Sequence, residues 1–142
     1  NKSKLPNPNP KEGPILNKHK KIDKKVYDLR ERTLRSARRI LEIAAMLPRS
    51  AECEVVRRQL ACAGTSIGAN VEEADGALSK RDFVNKMGIA RKEAKECKYW
   101  LKVVSGNYIE PGSIAEDIRE NEEIINILSA IINKSRAKSS RE

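Results

Sequence analysis

The 142-residue chain is poor in aromatic surface, with one Trp, one Phe and three Tyr making up 4% of its residues. Its core must therefore rest on Ile, Leu, Val and Ala. Histidine occurs once, at His19, so a Ser/Cys–His nucleophile pair or a Glu-x-x-His metal motif has no histidine within the body of the chain. The three cysteines, Cys53, Cys62 and Cys97, are odd in number and scattered, with no Cys-x-x-Cys. That pattern excludes a disulfide framework and reads as small buried thiols of a reduced, cytoplasmic protein. No apolar run is long enough to span a membrane, and no signal-peptide pattern is present. Period-2 alternation is absent, which excludes a sheet built from half-buried strands. "GTSIGAN" (Gly64 to Asn70) lacks the Gly-x-x-x-x-Gly-Lys-Ser/Thr spacing of a phosphate loop.

What is present is charge and a helical period. Charged residues are 35% of the chain and the net charge is +9. Residues 1–25 carry eight Lys against Glu12 and Asp23. Residues 1–21 also hold four of the six prolines, so they read as a disordered basic arm, and residues 135–142 read as a polar tail. Between them, 22–134 divides into four helical segments. The first, about Asp23 to Leu47, turns Val26, Leu29, Thr33, Ala37, Ile40, Leu41 and Ala44 inward and is stopped by Pro48. The second, about Ala51 to Ala74, turns Val55, Val56, Leu60, Ala63, Ile67 and Val71 inward. The third opens at a capping box, Ser79 with Asp82, and carries Phe83, Met87, Ala90, Ala94, Cys97, Leu101 and Val104. The fourth opens at Ser113 with Glu116 and runs to about Asn133. Short connections between four such helices predict an all-α, up-down-up-down four-helix bundle.

The stretch "TSIGANVEEADGALSKRDF" (Thr65 to Phe83) is too polar and too small for its surroundings. Glu72, Glu73 and Asp75 are candidate acid–base groups, but adjacent helical residues point about 100° apart, so Glu72 and Glu73 cannot share a substrate. A packing role explains more. Ala61, Gly64 or Thr65, and Gly68 remove bulk along one line, so a neighbouring helix can approach closely. Ser66, Asn70 and Glu73 fall on a second line and predict a polar seam that fixes helix register, with Glu93 and Glu96, and also Lys92 and Tyr99, as partners on the third helix.

Two further patterns bear on function. Arg91, Lys95, Lys98 and Lys102, spaced at 4, 3 and 4, form a basic row on the third helix, with Lys80 and Arg81 at its start; Arg32, Arg35, Arg38 and Arg39 add a second row on the first helix. Such rows either track phosphates in a sequence-tolerant way or are ordinary solvated faces with pairs such as Glu31–Arg35 and Arg38–Glu42. Apolar residues also exceed one stripe per helix. Ile124, Ile127 and Ile131 lie beside the stripe of the fourth helix, and Ile89, Trp100 and Val103 lie off the core stripe of the third. The surplus predicts a homo-oligomer with Ile89, Trp100 and Val103 at the interface.

The span from Arg57 to Val104 resembles the four-helix-bundle family encoded within intervening sequences of bacterial 23S ribosomal RNA genes. The marks are Gln59-Leu60, Ser66-Ile67, Asn70-Val71, Glu73, Ser79, Asp82-Phe83, Ile89-Ala90, Lys92-Glu93-Ala94, Glu96 and Tyr99-Trp100-Leu101. The resemblance implies an all-helical bundle that assembles as a ring-like homopentamer. It also brings in a related branch, accessory proteins of diversity-generating retroelements, which bind a reverse transcriptase and nucleic acid through a basic surface. Ala74-Asp75 and Lys92-Glu93 depart from the commonest family pattern and mark a subfamily. The expectation is a non-enzymatic oligomer without cofactor or metal that binds RNA or another nucleic acid. Its nucleic-acid contacts are Arg35, Arg38, Arg39, Lys80, Arg81, Arg91, Lys95, Lys98 and Lys102. The alternative is a protein-interaction subunit, for example of a reverse transcriptase.

Overall fold

The computed structural model describes residues 17–140. These form four helices: α1 (Asn17–Met46), α2 (Ala51–Asp75), α3 (Lys80–Val104) and α4 (Pro111–Ser139). No β-strand occurs among the described residues; an isolated bridge pairs Ser105 with Ile109 in the α3–α4 loop. Serine hydroxyls start two of the helices. Ser50 Oγ accepts from the Cys53 amide at 3.2 Å, and Ser79 Oγ accepts from the Asp82 amide at 3.1 Å. The fourth helix starts three residues earlier than its Ser113–Glu116 pattern suggests, with Glu110 at the N-cap and Pro111 in the first turn, where a missing N–H is no loss. The loop before it turns at Gly106, whose φ of +78° an L side chain rarely adopts.

Helix ends differ most from expectation at the two chain termini. α4 continues through 135–139, and 17–21 belong to α1, so His19 lies in a helix rather than in an arm. Lys, Arg and Ala favour helix even where apolar periodicity has run out. The remainder of the expected arm, 1–16, and residues 141 and 142 lie outside the described residues.

Each helix packs antiparallel on its chain neighbour, and α4 closes back on α1 along the most open of the four faces. The core is aliphatic, running through Leu29, Ile40, Ile43, Leu60, Ile67, Met87, Leu101, Ile114, Ile124, Leu128 and Ile132. Several expected positions are rotated. Leu41, Val55 and Cys62, all expected inside, are exposed, while Ile43 is fully buried. The surplus stripe of α4 is absorbed within the chain, with Ile124 and Ile131 buried and Ile127 packed at the core edge. Ile89, Trp100 and Val103 are half-buried within the single chain.

The small residues of α2 work against α1. An added Cβ at Gly64 would lie 2.4 Å from Ile40 Cγ2, and one at Gly68 would lie 3.1 Å from Thr33 Oγ1. Thr33 is itself buried and donates its hydroxyl to the Leu29 carbonyl at 2.8 Å. The buried amide that crosses between helices is Asn121 of α4, whose Nδ2 donates to the Ala94 carbonyl of α3 at 2.6 Å. Asn70 does not fill that role: its Nδ2 donates to the Ser66 carbonyl of its own helix at 2.8 Å.

Two glycine substitutions separate the close approach from open space. Gly64→Ala is expected to destabilise by about 1–3 kcal/mol through overpacking against Ile40. Gly88→Ala, where a Cβ meets nothing within 4 Å, is expected to stabilise by up to about 1 kcal/mol through helix propensity. Urea unfolding of the two variants beside the parent measures both.

Candidate nucleic-acid interface

The acidic stretch is not a cleft. Arg30 reaches across from α1 to Glu72 at 2.6 Å and Asp75 at 3.1 Å. The guanidinium holds the Glu72 carboxyl below its ordinary range. Glu73 pairs with Lys86 of α3 at 2.8 Å, which raises the lysine pKa. Of the expected polar seam, this ion pair is the contact that crosses from α2 to α3. Ser66 Oγ donates to the Cys62 carbonyl at 2.6 Å in its own helix, and Glu96 Oε1 accepts from the Trp100 indole N–H at 3.3 Å within α3. Glu93 meets no ion-pair partner among the described residues, and Lys92 and Tyr99 point to solvent. The expected partnership of Asn70 with α3 is thus replaced by a bond to its own backbone, because a side chain four residues along a helix reaches a carbonyl without crossing a gap. No group of three or more His, Cys, Asp or Glu side chains among the described residues could hold a metal ion.

Two arginines of α1, Arg32 and Arg39, close the open α1–α4 face. Arg32 sends Nε and Nη2 to Glu120 at 2.6 and 3.0 Å, and Nη2 also pairs with Glu123 at 3.0 Å. Arg39 forks onto Asp117 at 3.1 and 3.3 Å and reaches Glu42 at 3.2 Å. Both guanidinium pKa values are raised, chiefly by these hydrogen bonds. Arg35 lines the same groove, of about 580 Å³, beside Asp28, Glu31, Glu116, Asp117 and Glu120. Five carboxylates there outweigh three arginines, so this face is a poor track for phosphates. Arg39 in particular is a structural cross-link. Arg38 is exposed.

On α3 the structure turns the basic row by part of a turn. Arg91 and Lys98 are half-buried flanks, and Lys98 leans to Glu122 of α4 at 3.9 Å. Lys80 lines an apolar groove on the other flank, with Phe83, Ile127 and Ile131. The outward crest is Arg81, Asn85, Gly88, Lys92, Lys95, Tyr99 and Lys102, stepping by four and three opposite the buried Met87–Ala94–Leu101 stripe. It runs about 31 Å at 1.5 Å per residue and carries four cations and no carboxylate. None of the four has an ion-pair partner among the described residues. Antiparallel packing brings the last turns of α4 alongside the start of α3. Arg136 there joins Arg81 and Lys92 around a shallow groove of about 620 Å³, also lined by Ser79, Asn85, Gly88 and one carboxylate, Asp82. Lys92 and Arg136 are the residues that sequence reasoning misplaced. The seven-residue recurrence of outward positions on α3 held the signal for Lys92; nothing in the sequence pairs Arg136 with it.

A family model described as 23S rRNA-intervening sequence protein matches residues 20–130. The chain belongs to the 23S rRNA-intervening sequence protein family. The match reaches into all four helices of this intervening-sequence family member and ends within α4, before Arg136. The fold is similar to the 1.70 Å crystal structure of a protein of unknown function from the S23 ribosomal protein family of Bacteroides thetaiotaomicron VPI-5482. The TM-score is 0.71 at 35% identity, over 77% of this chain and 98% of that one. No curated protein matches it. No helix among the described residues is long and apolar enough to cross a membrane.

The thiols of this family member offer no reactive group in the core. Cys53 and Cys97 are fully buried and Cys62 is exposed. Burial, with Glu93 and Glu96 adding to it, pushes the Cys97 thiol up to about 12. A maleimide at mildly alkaline pH is expected to label the native protein at Cys62 alone, and Cys62→Ser to leave it unlabelled until denaturant is added; mass spectrometry after digestion reads the sites.

Proposed function

We propose that this protein is a non-enzymatic, oligomeric RNA-binding protein whose phosphate-tracking surface is the crest of α3. The observation that carries the reading is the charge imbalance along that crest: Arg81, Lys92, Lys95 and Lys102 stand in one line, exposed and without ion pairs among the described residues, and Asp82 is the one carboxylate lining the groove at its start. Cations left without intramolecular partners are available to displace the counterions of a phosphate backbone, which makes binding sequence-tolerant and sensitive to salt. The arginines of α1 contribute less, because Arg32 and Arg39 are held by α4.

Self-association belongs to the same reading. Leu34 and Leu41, seven residues apart on α1, are about half exposed. They support an oligomer contact on α1 in place of the half-buried Ile89, Trp100 and Val103. An oligomer would repeat the α3 crest about its axis and multiply its phosphate contacts.

Retardation of an unstructured RNA on a native gel tests the reading. With three or four phosphates neutralised per crest, the logarithm of the binding constant should fall against the logarithm of salt with a slope of about −2 to −3. Reversing Lys95 and Lys102 to Glu should abolish retardation, while Arg39→Ala should lower stability and leave the slope unchanged. Light scattering should show an oligomer, with Leu34→Glu/Leu41→Glu shifting it to the monomer mass. Failure of the parent to retard RNA at low salt would redirect the crest to a protein partner.

A further inference from the structure

We infer that the α3 crest takes single-stranded rather than paired nucleic acid, with Tyr99 as a stacking platform for an unpaired base between phosphate-binding lysines. The inference rests on the RNA-binding reading and adds the form of the ligand. Tyr99 is one of five aromatic residues in the chain, yet the residue is 60% exposed and lies between two cations of the crest, Lys95 and Lys102. Lys95 precedes it by four residues and Lys102 follows by three, so a cation stands one helical turn to either side on the same face. The ring is also held. It meets Trp100 edge to face, with centroids 5.1 Å apart and planes at 74°. Trp100 packs against the core and donates its indole N–H to Glu96. A ring fixed before binding loses little freedom when a base settles on it.

The chemistry favours an unpaired strand. A paired A-form helix shows a convex helix crest its phosphates and 2′-hydroxyls and keeps its bases stacked inside, where a surface tyrosine cannot reach them. A single strand offers a π-face and a phosphate at each nucleotide, and alternation of aromatic and basic side chains matches both. Gly88 supplies a second, independent sign. It sits between Arg81 and Lys92 in the groove that Arg136 also lines, and a Cβ there would meet nothing within 4 Å. Protein packing does not call for glycine at that position. The missing side chain leaves helix backbone open to close approach by a phosphate or sugar, at the propensity penalty that glycine carries in a helix.

Fluorescence anisotropy of labelled oligouridylate, and of an RNA duplex of the same length, with the full chain tests the inference. Oligouridylate is expected to bind more tightly than the duplex and to quench the emission of Trp100, the one tryptophan. Tyr99→Ala should weaken oligouridylate binding about five- to a hundredfold, leave the duplex unaffected and keep the parent salt slope. Tyr99→Phe should restore binding, since the ring and not the hydroxyl stacks. Gly88→Ala, a variant expected to fold at least as well as the parent, should weaken oligouridylate binding as well. Oligothymidylate identifies the sugar: equal binding supports the inference for strands of either kind, and a preference for oligouridylate supports it for RNA. A Tyr99→Ala protein that binds oligouridylate as the parent does, while Lys92→Glu/Lys95→Glu does not, would overturn the stacking role and leave phosphate tracking intact. Preference for the duplex would overturn it likewise. A parent that binds neither strand nor duplex would overturn both readings.

Discussion

The close approach of α1 and α2 is the constraint on which the rest of the molecule depends. Gly64 and Gly68 bring the α2 backbone against Ile40 and Thr33, where a methyl group would not fit at Gly64 without moving the isoleucine. With few aromatics, and Phe83 and Trp100 only at the core edge, stability comes mainly from aliphatic surfaces brought close enough for dense contact. Thr33 is tolerated at that contact because its hydroxyl bonds back to the Leu29 carbonyl, which leaves no buried donor without a partner.

Tight packing on one side of the bundle is matched by openness on another. Across the α1–α4 face, Arg32 and Arg39 span the gap to Glu120, Glu123 and Asp117. Long guanidinium side chains with forked geometry suit such a gap better than aliphatic ones, since they meet carboxylates at both oxygens while their stems cover apolar surface. The consequence for function is indirect. Charge placed in this closure is removed from the pool that an anionic partner could meet, whereas the α3 crest keeps four exposed cations without ion pairs among the described residues.

Much of the fold was legible in order and type. Four helices, the stop at Pro48, the serine cap at Ser79, the packing role of Gly64 and Gly68 and the aliphatic stripes all follow from local spacing. The errors share one cause. A stripe read at three- and four-residue spacing leaves its centre uncertain by part of a turn, and that uncertainty moved Leu41 and Val55 inward and Ile43 out. The same rotation placed Arg91 and Lys98 on the basic crest and Lys92 off it. Asn70 and Asn121 look alike as isolated amides, and the packing of neighbouring helices alone makes the second a buried cross-link.

By itself the sequence determined that the chain is helical, that its core is aliphatic, that Gly64 and Gly68 belong to a packing line and that it carries an excess of positive charge, because each of these is set by residue type and by spacing within one helix. Tertiary structure alone decided which cations are bound by α4 and which remain free, that Tyr99 stands outward on a braced ring, and that Arg136 comes beside Arg81 and Lys92. Those facts depend on the rotation of each helix about its axis and on which ends antiparallel packing brings together, and neither is encoded in the period of a single helix.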